Sequence, residues 1–375
     1  MLTLVLVVVL AALIFEYING FHDTANSIAT VVATKVLSPM QAVAMAAGTN
    51  LIGALWGTAV AKTIASGLLD SGVVEVTSQL ILCALGGGIV WNLITWAMGL
   101  PSSSSHALIG GLCGAAFAAA MNNPHAIIWS QPADPWFKSA GLLWKVVVPM
   151  FSSPLLGFSA GFLDMGVLSA IISGMAASGG VLARLARPRW VNAFFGKAQL
   201  ASAAYMGFAH GSNDAQKTMG IIALALVSAQ AAGTLDNLPS WLAFLHPSHH
   251  AIVDKDIDTW IKVTCATVMA AGTAAGGWRI IKTLGHKLVK LHPIHGFAAE
   301  ASAATVITLA SSLGIPVSTT HNISAAIMGV GTAKRFNAIK WSVVELMIWA
   351  WILTIPAAGG IAYLFYKLLV MMGWT

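Results

Sequence analysis

Apolar stretches long enough to cross a membrane recur along the whole chain, and they limit what it can fold into. The 19 Lys and Arg and 13 Asp and Glu residues are only 9% of the 375 positions, whereas hydrophobic residues make up 57%. Soluble domains carry about 25% charged residues, and a transmembrane helix needs roughly 20 apolar residues. The sequence therefore predicts an all-α polytopic membrane protein. A soluble enzyme and a disordered chain are excluded, as is a nucleic-acid-binding protein, because the net charge of +6 forms no basic stripe.

Several of the candidate membrane segments are not plain spans. The candidates are residues 2–35, 40–62, 77–99, 101–121, 140–163, 166–183, 198–232, 259–281, 297–313, 316–333 and 341–366. The segments 2–35 and 198–232 are too long, and each contains a polar cluster, which predicts broken helices. The stretches 77–121 and 297–333 are each divided by Gly-X-Pro and a hydroxyl run, which predicts re-entrant helical hairpins. Such interruptions are tolerated at membrane depth only where protein buries them or they line a cavity.

Charged loop residues predict the orientation of the chain. The basic clusters are Arg184, Arg187, Arg189 and Lys197, then Arg279, Lys282, Lys287 and Lys290, then Lys334, Arg335 and Lys340. By the positive-inside tendency, all of them should be cytoplasmic. The loop at about 233–258 is mainly acidic and should lie outside; its charged residues are Asp236, Asp254, Lys255, Asp256 and Asp258. A full crossing by 166–183 would place the first basic cluster outside, so that segment is predicted to be a helix extension or an interfacial piece.

Two motifs each occur twice, in the same order. The first pair is Asn19-Gly20-Phe21-His22-Asp23-Thr24-Ala25-Asn26 and His210-Gly211-Ser212-Asn213-Asp214-Ala215-Gln216-Lys217, and the second is Gly99-Leu100-Pro101-Ser102-Ser103-Ser104-Ser105-His106 and Gly314-Ile315-Pro316-Val317-Ser318-Thr319-Thr320-His321. Duplicated halves with interrupted apolar segments are typical of secondary transporters. We predict a membrane repeat at 1–165, a basic linker at 166–197 and a second repeat at 198–375. If each half crosses the membrane an odd number of times, the repeats are inverted, which the loop charges favour.

The Pro-hydroxyl-His motif is typical of a helix start, since Pro fits the first turn and Ser or Thr caps it. Two such starts inside the membrane would offer free N–H groups, hydroxyls and positive dipole ends, which suit a tetrahedral oxyanion. The candidate anion-binding hydroxyls are those of Ser103, Ser104, Ser105, Ser318, Thr319 and Thr320. The alternative is that these hydroxyls bond to the preceding turn or to a neighbouring helix.

Asp23 and Asp214 are ionisable residues in apolar segments, where a charge is costly, so they are functional candidates. Together with the amides of Asn26, Asn213 and Gln216, they offer oxygen ligands to a hard cation such as Na⁺. Alternatively, a buried Asp could carry a proton. Either cation would cancel the charge of a transported anion, whereas a purely structural Asp would cap a broken helix.

Four further polar residues lie in the same segments. Lys217 stands where the first half has an Asn, and it is predicted either to pair with Asp214 or to contact the anion. Glu300 has no acidic counterpart in the first half, so it is a candidate for binding the coupling cation or for pairing with Lys217. His106 and His321 follow the hydroxyl runs and are expected to support the anion site from behind.

These motifs resemble those of the inorganic phosphate transporter family, Pit type, in its bacterial branch, and the resemblance covers nearly the whole chain. It implies low-affinity phosphate uptake across the bacterial inner membrane, by symport with H⁺ or Na⁺ and alternating access between inverted repeats. Phosphate could cross as a free ion or as a neutral complex with a divalent metal, and relatives that move sulfate are known. No other cofactor and no nucleic-acid partner is implied, and a homodimer is compatible with it.

The resemblance assigns roles to the residues that match the family motifs. The matching positions are Asp23, Asn26, Asn213 and Asp214 for the coupling cation and Ser103, Ser104, Ser105, Ser318, Thr319 and Thr320 for phosphate. We add Gln216 and Lys217 as predicted phosphate ligands and Glu300 as a predicted cation ligand. The chain departs from the usual pattern at His22, a titratable residue beside Asp23 that is expected, like His106 and His321, to support the site from behind. The coupling ion stays open between H⁺ and Na⁺.

Two other functions are considered. One is a sulfate permease of the same architecture. The other is an intramembrane enzyme acting on a lipid phosphate, with His106 or His321 as base and a Ser nucleophile. The enzyme is disfavoured because both halves carry the same motif, and because the chain lacks the clustered Arg and Lys that stabilise a phosphoryl transition state.

Overall fold

The computed structural model describes residues 2–66, 68–134, 139–253 and 256–374. Within these ranges the chain is helical, and its β contacts are isolated bridges. Of the predicted outer loop, Asp254 and Lys255 lie outside the described residues. The predicted all-α membrane fold is confirmed.

The helices fall into two successive sets. The first set is α1 (Leu2–Ala33), α2 (Pro39–Ala54), α3 (Ala59–Ser66), α4 (Ser78–Met98), α5 (Ser104–Ala119) and α6 (Leu143–Ala177, opening with a π-helical turn). A short helix, α7 (Gly180–Leu185), connects the sets. The second set is α8 (Pro188–Ala231), α9 (His249–Val253), α10 (Thr259–Ala275), α11 (Trp278–Lys282), α12 (Pro293–Ser312), α13 (Thr319–Lys334) and α14 (Trp341–Met371). Shorter helical turns are Pro124–Ala126, Ser240–Leu245, Thr283–Lys287 and Phe336–Ala338.

The two sets repeat one order of elements. A long helix that carries the Asp motif (α1 or α8) is followed by a helix in two pieces (α2 and α3, or α10 and α11). A helical hairpin comes next (α4 and α5, or α12 and α13), and a second long helix closes the set (α6 or α14). Helical hairpins therefore occur in both halves, at the predicted Gly-X-Pro positions, and their re-entrant course in the membrane stays a prediction.

The two Asp-bearing helices lie side by side and run antiparallel. In the middle of α1, Glu16 accepts a hydrogen bond from Thr218 of α8. Just after the end of α1, Thr34 donates to Gln199 of α8 over 2.9 Å. Residue numbers thus rise along one helix as they fall along the other, which agrees with inverted repeats, although the inversion of the whole halves stays a prediction.

The polar clusters do not interrupt α1 and α8, so the expectation of breaks at the Asp motifs is wrong. The side chains of these clusters find partners on neighbouring helices, and the main chain can keep its own i→i−4 hydrogen bonds. The breaks lie elsewhere, at 55–58 and 276–277 within the second helix of each half, and at 99–103 and 313–318 in the hairpins.

Residues 143–177 form one continuous helix, so the predicted segments 140–163 and 166–183 are largely parts of the same element. The predicted end of the first repeat, residue 165, lies inside it. This agrees with the interpretation of 166–183 as a helix extension. Four described helices, α1, α4, α6 and α14, are long and apolar enough to cross a membrane.

Each half packs its hairpin against the closing helix of the other half, with α5 on α14 and α13 on α6. The contacts are close because glycines face the partner backbone. A Cβ on Gly114 would lie 2.0 Å from the carbonyl oxygen of Gly359, and one on Gly329 would lie 2.1 Å from that of Phe158. Both glycines stand eight positions after the His of their motif, so the repeat extends to this packing. Small residues at helix crossings are how membrane helices approach closely.

The apolar core has two parts with a polar layer between them. Along α1, the first part ends at Phe15 and the second begins at Ala25; along α8, the second part ends at Ala209 and the first begins at Ala215. The Asp motifs fill the gap in both helices. The polar layer therefore lies in the middle of the bundle, with one part of the apolar core on each side.

The basic clusters lie near one face. Lys35, Lys287, Lys290 and Lys340 line one cavity of about 420 Å³, which brings together the second and third clusters and the end of α1. The first cluster lies at the same end of the bundle. Thr34, next to Lys35, donates a hydrogen bond to Gln199, which comes two residues after Lys197 on α8. The positions of the clusters agree with a common side, and their cytoplasmic location stays a prediction.

Candidate functional site

Both hairpins present a helix start at the polar layer. Gly99 and Gly314 end α4 and α12 with φ of 67° and 66°, in the left-handed region that glycine adopts readily. Ser103 caps α5, accepting from the N–H of His106 over 3.3 Å, and Ser318 caps α13 in the same way, accepting from the N–H of His321 over 3.2 Å. The predicted helix starts and their caps are thus present in both halves.

The hydroxyls after these caps reach the two aspartates. Ser104 donates to Asp23 over 3.1 Å, and Thr320 donates to the other oxygen of Asp23 over 3.4 Å. Thr319 donates to Asp214 over 2.8 Å. All of these side chains are buried. Asp23 therefore accepts from hydroxyls of both hairpins, and hydroxyls predicted to bind the anion lie in one cluster with the two aspartates predicted to bind the cation.

Lys217 lies at the centre of this cluster. Its ammonium donates hydrogen bonds to Asp214, to the hydroxyl of Ser105 and, over 3.0 Å, to the carbonyl oxygen of Val317. Both predicted alternatives for Lys217 therefore hold in part: it pairs with Asp214, and it also touches a hydroxyl of the predicted anion site. A buried ammonium needs such partners to offset the loss of hydration.

The amides around the aspartates differ in what they do. Asn26 donates to Thr319 over 3.2 Å and to Thr320 over 2.9 Å, and its side-chain oxygen has no hydrogen-bond partner among the described residues. Asn213 donates to Ser311 over 2.7 Å, and its oxygen is likewise without a partner in the described part of the chain. Buried polar atoms are normally hydrogen-bonded, so free oxygens beside carboxylates favour a cation ligand.

Gln216 is directed away from the cluster. Its oxygen accepts from the N–H of Val60 over 2.8 Å, at the start of α3, and its amide nitrogen donates to the carbonyl oxygens of Ser212 and Trp56. The side chain thus stabilises the break between α2 and α3. This position does not support the prediction that Gln216 binds phosphate or gives an oxygen ligand to a cation, because both of its polar atoms are already hydrogen-bonded.

Glu300 is fully buried on α12, near the C-terminal half of α1. It accepts from Thr30 and, over 3.1 Å, from Gln199 with one oxygen, and over 2.5 Å from Ser202 with the other. The alternative that Glu300 pairs with Lys217 is wrong. The Lys217 ammonium bonds to Asp214, to the hydroxyl of Ser105 and to the carbonyl oxygen of Val317 instead. A role in binding the coupling cation stays a prediction.

Two histidines meet between the hairpins. The rings of His106 and His321 lie 4.8 Å apart between centroids, and His321 stacks on Trp351 at 4.2 Å. Neither ring has a hydrogen bond to Asp23 or Asp214 in the described structure. This position behind the hydroxyls fits the expected supporting role, which itself stays a prediction.

Two further histidines, His22 and His210, adjoin the aspartates. His22 Nδ1 lies 2.7 Å from Asp23, and its Nε2 lies 3.1 Å from Thr95, so the titratable side chain noticed in the sequence is buried at the site. His210 Nε2 lies 3.1 Å from Asp214. No role is predicted for His210 from the sequence, although its i, i+4 spacing to Asp214 on one helix is a signal that could have identified it.

Asp23, His210 and Asp214 could hold a metal ion together. One ligand atom from each lies within 4.8 Å of the others, and all three residues are buried. Two carboxylate oxygens and an imidazole nitrogen suit a divalent cation, whereas carboxylate and amide oxygens suit Na⁺. The donor set therefore accommodates a cation of either class.

Comparisons with known proteins agree on one family. A family model described as the phosphate transporter family matches residues 19–362. A probable low-affinity inorganic phosphate transporter of Bacillus subtilis is 39% identical over 372 residues, which are 99% of each chain. One from Mycobacterium tuberculosis strain H37Rv is 42% identical over 99% of this chain and 79% of that protein. A solved structure, titled the sodium-dependent phosphate transporter, matches with a TM-score of 0.76 at 22% identity, over 99% of this chain and all of that one, and so shows the same fold.

Proposed function

We propose, from the fact that this chain belongs to the phosphate transporter family, that it imports inorganic phosphate by symport with H⁺ or Na⁺ through alternating access. One observation carries the proposal. In an apolar bundle, two hydroxyl-rich helix starts converge on two aspartates and a lysine, and the cluster lies between two apolar cores. Membership of a transporter family also agrees with a protein that is not an enzyme.

Anion recognition is assigned to the hairpin hydroxyls and the helix starts behind them. Ser104, Ser105, Thr319 and Thr320 are all within hydrogen-bonding distance of a carboxylate, an amide or the lysine ammonium. A hydroxyl can rotate its proton to a new acceptor. Phosphate oxygens could therefore take over donors that the aspartates now hold, assisted by the positive ends of α5 and α13.

The coupling cation is assigned to the aspartates. Carboxylate oxygens of Asp23 and Asp214 lie within 4.8 Å of each other, and like charges at this distance repel. A cation that enters with phosphate would relieve this repulsion and would offset the charge of the anion. The unpartnered oxygen of Asn26 supports a site on the first-half side.

Alternating access is supported by the two apolar cores. Opening either face of the bundle to water requires only that one core separates, while the other core can stay packed. The antiparallel arrangement of α1 and α8 would place equivalent helices on opposite faces, as inverted repeats do. We place the basic clusters on the cytoplasmic side of a bacterial inner membrane, since the curated relatives named above are bacterial.

The test is phosphate uptake by the purified protein in proteoliposomes, with a proton gradient and a sodium gradient imposed separately. We expect one of the two gradients to drive accumulation above equilibrium. Arms with and without Mg²⁺ test whether phosphate crosses as a metal complex, and competition by arsenate but not by sulfate distinguishes phosphate from sulfate transport. Uptake that follows neither gradient would contradict symport.

A further inference from the structure

The two halves of the site differ in one chemical respect. The first half has Asp23 followed three residues later by Asn26, and the second has Asp214 followed three residues later by Lys217. Residues three apart on a helix lie on the same face. Each Asp thus has a neighbour one turn on, which is neutral in one half and cationic in the other.

In the first half, the residue one turn after the aspartate has a side-chain oxygen that accepts no hydrogen bond from the described residues. Asn26 uses its amide nitrogen for Thr319 and Thr320, which leaves its oxygen, fully buried, without a hydrogen-bond partner among the described residues. The hydroxyls and His22 bond to Asp23, but no Lys or Arg within the described ranges pairs with it. An acidic group and a free amide oxygen form a site that a cation can fill.

In the second half, a covalently attached cation fills the equivalent place. The ammonium of Lys217 bonds to Asp214, to a hairpin hydroxyl and to a main-chain carbonyl, that of Val317. These are oxygen ligands of the kinds that bind Na⁺: a carboxylate, a hydroxyl and a carbonyl. The side chain is buried, so this ammonium is part of the site and not of the surface.

We propose that Lys217 is a tethered cation that occupies the second-half counterpart of the first-half cation site, and therefore lowers the number of cations moved with each phosphate by one. With Lys217 present, the two aspartates and the lysine carry one net negative charge, and without it they carry two. The inference rests on the proposed symport. It adds the reason why two matched halves bind unequal numbers of mobile cations.

The main test is Lys217→Asn, which gives the second half the same Asp-x-x-Asn pattern as the first. In proteoliposomes clamped with K⁺ and valinomycin, the membrane potential that just prevents net phosphate uptake gives the charge moved per phosphate. We expect this charge to increase by one relative to the wild type, whether the added cation is H⁺ or Na⁺. At zero potential, a tenfold gradient of the coupling cation should then accumulate about tenfold more phosphate than in the wild type.

Two variants provide matched controls. Lys217→Arg keeps a tethered cation and should keep the wild-type charge per phosphate. Asn26→Lys places an ammonium in the first half as well, and the charge moved per phosphate should decrease by one relative to the wild type. An unchanged charge per phosphate in a transporting Lys217→Asn protein overturns the proposal.

A second measurement covers the case in which Lys217→Asn folds but does not transport. Equilibrium binding of ²²Na⁺, with a dye to count protons taken up, should show one more cation per molecule than the wild type in phosphate-containing buffer. Lys217→Gln serves for the same count if the Asn variant is unstable, and no added cation in either variant also overturns the proposal. Wild-type uptake in the same vesicles tests symport separately, so failure of symport and failure of the tethered cation give different results.

Discussion

Two carboxylates and one ammonium share the hydroxyls of both hairpins, and this sharing defines the site at the scale of the residue. Asp23 accepts from Ser104 of the first hairpin and from Thr320 of the second. Lys217, from the second half, donates to Ser105 of the first. The hydrogen bonds of the carboxylate and of the ammonium therefore connect both halves. Changing one of these charges alters the hydroxyl donors that are available to the other groups.

Removal of either carboxylate charge should stop energised transport. For Asp23→Asn and for Asp214→Asn, we expect phosphate uptake to decrease by roughly tenfold or more, equivalent to at least about 1.4 kcal/mol in the limiting step. In Asp23→Asn the mobile cation loses its anionic ligand, and in Asp214→Asn the buried ammonium of Lys217 loses its counter-charge. Uptake of labelled phosphate, normalised to the protein in the membrane, measures the effect. Asp236→Asn, at an exposed loop carboxylate, is the control, and wild-type accumulation in either site variant would disprove the assignment.

The two buried glutamates should respond differently to loss of charge. Glu300 receives three donors on its two oxygens, whereas one oxygen of Glu16 has no partner in the described structure. Glu300→Gln puts an amide nitrogen against donors and should lower the free energy of unfolding by about 1–3 kcal/mol. Glu16→Gln can turn its nitrogen toward the unpartnered side and should cost less. Thermal unfolding in detergent compares them, and equal losses would contradict the argument.

Glycine contacts fix how the hairpins dock on the closing helices, at the scale of the element. Gly114 and Gly329 lie at equivalent positions of α5 and α13, and each faces a backbone carbonyl of the other half. The hairpin helix starts are held in place through these contacts. Packing at a distance from the ligand site thus sets the separation of the two rows of hydroxyls.

Adding one methyl group at either glycine should therefore be costly. Gly114→Ala and Gly329→Ala force a Cβ against a main-chain oxygen, and we expect a loss of about 1–3 kcal/mol in the free energy of unfolding. Gly166→Ala in α6 is the control, since no atom lies within 4 Å of the added Cβ, and it should be neutral or slightly stabilising. Unfolding in detergent measures all three. Equal stability of the variants would show that the crossing can relax.

The long antiparallel helices and the two cores determine how the whole molecule is organised. α8 has 44 residues, so its ends lie far apart, with Lys197 near one end and the loop after Ala231 at the other. The site lies between, closed by one apolar core on each side. Large apolar side chains of α6 and α14 are exposed, as expected for surfaces that face lipid, and a homodimer stays a prediction.

Labelling of introduced cysteines tests the predicted topology. The native cysteines Cys83, Cys113 and Cys265 are buried, so an impermeant thiol reagent should report an added one. We expect Lys197→Cys and Lys340→Cys to react only from the cytoplasmic side, and Asp236→Cys only from outside, because the basic clusters should face the cytoplasm. Right-side-out and inverted vesicles make the comparison. Labelling of Lys197→Cys and Asp236→Cys from the same side would refute the arrangement.

Most residues of the candidate site, and their occurrence in two sets, could be predicted from the sequence alone. Rare polar groups in apolar segments stand out because each is costly in a membrane, and the repeated motifs gave their pairing. Local signals also sufficed for the helix starts, since Gly-X-Pro and the capping hydroxyls act within a few residues. Asp23, Lys217 and the hairpin hydroxyls were found in this way.

The contacts among these side chains, by contrast, depend on how the helices pack. Whether α1 and α8 break at the Asp motifs depends on partners from other helices, and those partners let both helices continue. Gln216 bonds to the start of α3 and Glu300 to α1 and α8, because helices distant in sequence bring those groups within reach. Side-chain hydrogen bonds are short-range and directional, so a pattern along one chain identifies the polar groups but leaves their partners to the packing.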